Sequence, residues 1–257
     1  INYRYFVRER MFKISIVTVV YNAANDLEVT INSVLKQTYK EIEYIVIDGA
    51  STDGTLDVLE KFKDKITTVV SEKDNGIYDA MNKSLQYVTG DWVIFLNAGD
   101  VFYQDEVLNE VISQVNDENS PDIIGGGVII DTGSVFKYEK VKSINQKWIY
   151  MPACHQSTLY RFNLLKHYKY DLNYKICADH LLSIDLLNAG AIFYPVPQYI
   201  SIFKWNGVSA KQRIALFQEK LKIAKQRNAP LLNRIYLLYI ISKLKFAKLL
   251  RELGLRK

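Results

Sequence analysis

The sequence predicts an α/β fold: a mostly parallel, Rossmann-like sheet flanked by helices, continued by an α+β half and C-terminal helices. Three observations predict it. Short β-branched runs alternate with helix-spaced segments through the first hundred residues. Polar clusters close those runs, where parallel sheets of this kind bind ligands. After Pro121 the alternation gives way to closely spaced extended segments.

The first strand is Lys13 to Val20, apolar and β-branched as a strand buried on both faces should be. A helix follows to about Gln37, with Leu27, Ile31, Val34 and Leu35 on one face and Asn25 or Asp26 as its cap. Tyr44 to Ile47 is the second strand and ends at Asp48-Gly49. Gly54 to Phe62 is helical, and Ile66 to Val70 is the third strand. Asn75 to Val88 returns to helical spacing through Ile77, Met81, Leu85 and Val88. Trp92 to Leu96 is the fourth strand, followed by a helix from about Asp105 to Val115. Such alternation requires crossover connections and a parallel sheet. Further on, 123–130, 135–138, 157–160, 192–194 and 199–203 read as extended, and 178–188 as helical. Helices over about 210–226 and 231–253 are separated by Pro230.

Hydrophobic residues make up 49% of the 257, enough for a large core and against disorder. Two cysteines, Cys154 and Cys177, are too few for a disulfide framework and point to a reducing compartment. Residues 1–10 lack the apolar run of a signal peptide, and no run reaches the roughly 18 apolar residues of a membrane span. The net charge of +5 hides an asymmetry: residues 211–257 carry +11 and the remainder −6. An acidic body with a basic tail predicts an anionic partner for the tail.

No G-x-x-x-x-G-K-[ST] loop is present, and no G-x-G-x-x-G follows the first strand, which argues against a P-loop NTPase and a dinucleotide site. Gly125 to Gly127 lie within an extended segment and read as a bulge or close backbone approach.

Five motifs in order carry a resemblance over about Lys13 to Ser209. They are SIVTVVYNAANDLEVTINSVLKQT (15–38), VIDGASTDGT (46–55), EKDNGIYDAMNK (72–83), FLNAGD (95–100) and YKICADHLLSIDLLNAGA (174–191). Together they resemble the GT-A fold of family-2 inverting glycosyltransferases, of the kind that build bacterial surface polysaccharides. The resemblance implies a nucleotide-sugar donor and a saccharide or lipid-linked acceptor. Thr18, Val20, Tyr21, Asp48, Asp74, Asn75 and Gly76 would then hold the nucleotide. Asp48 would meet the base, and a carboxylate facing an imide N–H favours a UDP- or dTDP-sugar. Asp53 reads as a helix cap ahead of a ligand contact.

Asp79, Asn82, Asn97, Ala98 and Gly99 would face the donor sugar and diphosphate. FLNAGD stands where the family usually carries D-x-D. Only Asp100 remains to hold Mg2+ or Mn2+, which would offset charge on the departing diphosphate; a turn aspartate is the plainer reading. Asp179 matches the family's catalytic base, which takes a proton from the acceptor hydroxyl during a single in-line displacement. It also suits a helix start, and His180 is a second basic group beside it. His155, Gln156 and His180 would contact the acceptor, although His155 also fits a buried, hydrogen-bonded histidine. In FKWNGVSAK, Gly207 would be a hinge and Ser209 a phosphate contact. Cys154, His155, Cys177 and His180 lack the spacing of a zinc site.

Three regions follow: an N-terminal extension (1–10), a catalytic domain (11–209, with a donor half 11–103 and an acceptor half 104–209) and basic helices (210–257). Residues 231–257 read as an interfacial helix on an anionic membrane, with packing on the catalytic domain or a dimer contact as the alternatives. The expected location is cytoplasmic, on the inner face of the plasma membrane. No nucleic-acid partner is expected. The rival readings are a nucleotidyltransferase, a nucleic-acid binder through the tail, and a degenerate, non-catalytic nucleotide-sugar-binding protein at the membrane.

Overall fold

A computed structural model describes residues 11–115, 121–205 and 212–253. Among the described residues nine strands form a single sheet: β1 (Ile14–Val20), β2 (Ile42–Asp48), β3 (Thr68–Ser71), β4 (Trp92–Phe95), β5 (Val101–Phe102), β6 (Ile123–Asp131), β7 (Phe136–Glu139), β8 (Thr158–Arg161) and β9 (Phe193–Lys204). Their order is β3-β2-β1-β4-β8-β6-β9-β5, with β7 on β6. The first four strands pair in parallel, as their alternation with helices predicts. Antiparallel pairing of β4 with β8 then joins the α+β half to the same sheet.

Helices α1 (Ala24–Leu35), α2 (Thr55–Lys61), α3 (Ile77–Ser84), α4 (Val107–Ile112), α5 (Phe162–Leu165) and α6 (Ala178–Asn188) cover the sheet. Two further helices, α7 (Arg213–Gln226) and α8 (Leu231–Glu252), follow it.

Strand alternation sorts the core into two layers. Ile14 and Ile16 of β1, with Trp92 and Ile94 of β4, pack beneath α1 and α4. Val17 and Val19, with Val93 and Phe95, pack beneath α3 and α6. Every β1 residue is buried, so its β-branched run has no solvent face to satisfy. Each fully buried Ile or Val there contributes about 1.5–3 kcal/mol before chain entropy is counted. Helix α6 is buried on nearly every side, which explains why its sequence lacks a polar stripe. Gly190, with φ of 92°, turns the chain after it. A third, smaller core of Ile149, Leu221, Ala224, Leu237 and Ile241 holds α7 and α8 together.

Two expectations are corrected, the cap of α1 and the division of β9. Neither Asn25 nor Asp26 caps α1, whose N-cap is Ala23. Asp53 supports both helix starts instead: it accepts from Thr55 N of α2 and from Ala24 N of α1. Segments 192–194 and 199–203 are one strand, β9, carried past Pro195 and Pro197 by register shifts against Gly125–Val128. The two-residue strand β5 carries too little pattern to be read from sequence. Gly125 and Gly126 are places of close approach: a Cβ on Gly126 would lie 2.5 Å from Ile200, and one on Gly125 2.5 Å from Phe193.

Candidate active site

The FLNAGD turn leaves β4 and is pinned by α1. Thr30 Oγ1 donates to Asp100 O at 2.8 Å and accepts from Gly99 N at 2.9 Å. Gly99, with φ of 96°, lets the turn reverse. Asp100 is thereby buried, at 4% exposure. Its Oδ1 accepts from Lys204 N at 3.1 Å, and the Gln156 side chain also hydrogen-bonds to it. Burial pushes the Asp100 carboxyl up to about 7, against the lowering effect of those two bonds. Nearby, the Asn97 Oδ1 is buried with no partner among the described residues.

Asp179 sits in the first turn of α6, where the helix dipole favours a carboxylate. Its Oδ1 accepts from His180 N at 2.8 Å and lies 3.0 Å from the Tyr78 hydroxyl. That hydroxyl also lies 2.8 Å from Ile176 O, so one hydrogen serves two acceptors. Burial, then the charge of Asp179, raises the Tyr78 pKa well above 10 and keeps the phenol protonated.

Asp100 and Asp179 line one open cavity of about 720 Å³, together with Asn97, Ala98, His155, Gln156 and His180. A carboxylate from the end of β4 and one from the start of α6 therefore share an opening. His180 donates from Nε2 to Lys147 O at 2.6 Å, and its Nδ1 is buried without a partner among the described residues. Burial, reinforced by the charge of Lys220, lowers its pKa to about 3, which makes it a weak base. His155 is buried among Phe95 and Tyr160, with Nε2 at 2.8 Å from the Tyr170 hydroxyl; burial lowers its pKa. Gln156 accepts the Cys154 thiol at 3.0 Å. Burial raises that thiol to about 12, so it is not a reactive thiolate.

Several residues expected at the donor side are engaged by other parts of the fold. Thr18 is fully buried and spends its hydroxyl on Leu96 O and Tyr44. Val20 is a core side chain. Asp48 is fully buried, and its carboxylate accepts from Ser51 N, Ser51 Oγ and Ser71 Oγ. Asn82 clamps the Tyr170 backbone, donating to its carbonyl at 2.9 Å and accepting from its N–H at 2.8 Å. Asp79 caps the start of α3 through Asn75 N at 2.9 Å. Asn75, Gly76 and Asp79 line a separate hollow of about 30 Å³ beside the cavity.

Tyr21 is exposed, and Asp74 bonds Gly76 N at 2.8 Å. Both close on Gly49: a Cβ there would lie 2.5 Å from Asp74 Oδ2 and 3.3 Å from the Tyr21 ring. Gly207 and Ser209 lie outside the described residues.

Two site residues carry no readable motif. Tyr170 stacks on Tyr78 at 5.6 Å and bonds His155, so it braces both histidine and phenol. Lys220 of α7 lines the cavity and donates to Ile149 O at 2.7 Å; the sequence shows it only as one of many basic residues after 210.

Comparison with known proteins agrees with this architecture. The model of glycosyl transferase family 2 matches residues 15–189. A PGL/p-HBAD biosynthesis glycosyltransferase of Mycobacterium tuberculosis is 31% identical over 173 residues, 66% of this chain and 66% of that protein. The chain thus spans just under two thirds of that relative's length. The UDP-Glc:alpha-D-GlcNAc-diphosphoundecaprenol beta-1,3-glucosyltransferase WfaP of Escherichia coli is 33% identical over 99 residues, 38% of this chain and 39% of the relative. Among solved structures, S. aureus TarS 1–349 in complex with UDP superposes with a TM-score of 0.68 at 20% identity, over 90% of this chain and 70% of that one. The mannosyltransferase PcManGT from Pyrobaculum calidifontis, with GDP-Man and Mn2+, gives 0.65 at 16% identity, over 86% and 66%. With the family model covering more than half of its length, and with the fold and ordered motifs described above, the chain belongs to glycosyl transferase family 2.

Proposed function

We propose that this chain is an inverting glycosyltransferase that moves a sugar from a nucleotide-diphosphate donor to an acceptor hydroxyl in the assembly of a cell-surface polysaccharide or glycolipid. The observation that carries this reading is the cavity shared by Asp100 and Asp179. In this scheme residues 11–103 hold the donor and 104–209 the acceptor. The Asp179 carboxylate takes the proton of the acceptor hydroxyl. The freed oxygen attacks the anomeric carbon in line, and the bond to the diphosphate oxygen breaks. Tyr78 and the His180 N–H hold Asp179 in place. Tyr170 and His155 back this wall, and Gln156 with Lys204 N orients Asp100.

Among the described residues no three His, Cys, Asp or Glu side chains come together, and the FLNAGD turn offers two oxygen ligands of the kind a hard divalent cation takes beside a diphosphate. Asp100 is a buried carboxylate whose charge is under-compensated, and Asn97 Oδ1 is an orphaned oxygen beside it. Asp100 and Asn97 would hold Mg2+ or Mn2+, which supplies positive charge to the departing diphosphate.

UDP is the proposed nucleotide. TarS is seen with UDP and WfaP is named for UDP-Glc. Tyr21 and Asp74, closing over Gly49, are the proposed nucleoside wall. Helix α8 supports membrane association. Leu231, Ile235, Leu238, Tyr239, Phe246 and Leu249 are exposed along one stripe, Lys243 and Lys245 flank it, and Leu237 and Ile241 pack behind. Among the described residues no helix is long and apolar enough to cross a membrane.

A thermal-shift screen of nucleotide sugars with and without Mn2+, followed by an assay for nucleotide release, tests the reading. UDP-sugars should raise Tm and release UDP. Stabilisation without turnover toward any acceptor would favour the degenerate binding protein, and no nucleotide shift would end the proposal.

A further inference from the structure

Helix α6 starts without a side-chain cap at its N-cap residue, Cys177. The segment that leads into it, Lys175 to Cys177, belongs to no helix or strand, so its backbone donors need partners from elsewhere. They find them on α7. Glu219 accepts from Lys175 N at 2.9 Å through Oε1, and from Ile176 N at 3.0 Å and Cys177 N at 2.9 Å through Oε2. Three successive N–H groups turned to one point make an anion-binding concavity, and here the chain fills it with its own carboxylate. Bonds of this charge-assisted kind are roughly twice as strong as neutral ones.

The clamped segment carries the surroundings of the proposed base. Asp179 lies in the first turn of α6, just beyond Cys177. Ile176 donates its N–H to Glu219 and accepts the Tyr78 hydroxyl on its carbonyl at 2.8 Å, and the same hydroxyl stands 3.0 Å from Asp179 Oδ1. One carboxylate on α7 thus holds the start of the helix that bears Asp179 and the carbonyl that steadies its phenol partner.

Docking of α7 has other support. Ile223 is buried in the core layer beneath α6, and Ala215 and Leu216 pack against that layer. Arg227, just past α7, grips Asp185 of α6 through two bonds of 2.6 and 2.8 Å. Asp185 follows Asp179 by nearly two turns, roughly 9 Å along the helix axis. The Arg227 pair therefore ties the two helices together away from the base, while Glu219 acts at the helix start.

The geometry assigns Glu219 as a positioning residue for transfer: it fixes the entry to α6 so that the Asp179 carboxylate meets the acceptor hydroxyl. This rests on the glycosyltransferase reading and extends the catalytic wall past the family match, which ends at residue 189, before α7 begins.

The test is turnover by the full chain, read as UDP released from UDP-Glc or UDP-GlcNAc, beside calorimetric titration with UDP. Glu219→Ala should lower kcat on the order of a hundredfold, the cost of a misplacement of about 1 Å at a reacting group, with donor KM and UDP affinity within about twofold of native. Glu219→Gln keeps one carbonyl acceptor for the clamp and should recover part of the loss. Arg227→Gln removes the other anchor; it should lower Tm and leave kcat near native. In an Asp179→Asn background, Glu219→Ala should cost nothing further, because residues that act as one unit are not additive. Native kcat in Glu219→Ala, an equal loss of kcat in Arg227→Gln, no recovery in Glu219→Gln, or a further loss in the Asp179→Asn background would overturn the assignment. Absence of UDP binding or release by the native chain would instead count against the glycosyltransferase reading itself.

Discussion

The Tyr78 hydroxyl of α3 stands 3.0 Å from Asp179 Oδ1 of α6, across 101 residues of sequence. This contact joins a helix of the donor half to the helix bearing the proposed base. Tyr78→Phe keeps the stacking on Tyr170 and deletes only the hydroxyl. Losing one hydrogen bond to a charged group removes about 1.5 kcal/mol of positioning. We therefore expect kcat for transfer to fall roughly tenfold with the donor Kd unchanged, measured by UDP release and UDP titration. An equal loss in both would assign Tyr78 to donor binding.

Gly49 is required by its neighbours rather than by its backbone angles. A Cβ would displace the Asp74 carboxylate, which is the movable end of a side chain, so Gly49→Ala should fold. UDP affinity should fall roughly tenfold, by analogy with the loss of one charge-assisted contact. Titration of the variant with UDP checks this, and unchanged affinity would remove Asp74 from the nucleoside wall.

Far from the cavity, Glu43 ties β2 to β1 and to the turn before β4. Burial alone would raise its carboxyl, but bonds from Ser15, Thr89 and Lys13 outweigh it and hold the value at about 2. The folded-state value lies below the ordinary 4.5, so the unfolded chain takes up the proton first as pH falls. The stabilisation is complete above about 4.5 and is lost as pH drops toward 2. Glu43→Gln should cost about 2 kcal/mol at pH 7 and less below pH 4. Urea melts of both proteins across pH 3 to 7 measure the difference.

For the outward stripe of α8, Phe246→Ser with Leu249→Ser removes two exposed apolar side chains and leaves Leu237 and Ile241 in place. The native chain should co-sediment with anionic vesicles at low salt and not with neutral ones, and the double variant should lose roughly tenfold or more of that binding. Unchanged sedimentation would return α8 to a packing or dimer role.

Much of this molecule was legible because its early strands are pure. The run KISIVTVV has no polar alternation, so it reads as buried on both faces, and β1 is. Residues 178–188 are helical as their pattern indicates. The donor-side residues were harder to read. Asp48 and Asn82 look like ligand contacts because they are polar at the right place. Their partners, Ser71 and Tyr170, lie on other elements that no local spacing reveals. Strand β9 reads as two segments in the sequence because Pro195 and Pro197 interrupt its pattern, and it runs on through register shifts at Gly125–Val128. Lys220 was hidden for the same reason as Tyr170: its meaning depends on what α7 faces.

The most direct measurement is transfer by Asp179→Asn. The substitution preserves shape and hydrogen bonding to Tyr78 and His180 while removing the proton acceptor. Donor binding should stay within about twofold of the native protein while turnover falls by roughly a thousandfold or more. Turnover near the native rate would contradict the account. So would loss of donor binding together with turnover, because Asp179 would then serve the fold and not the proton.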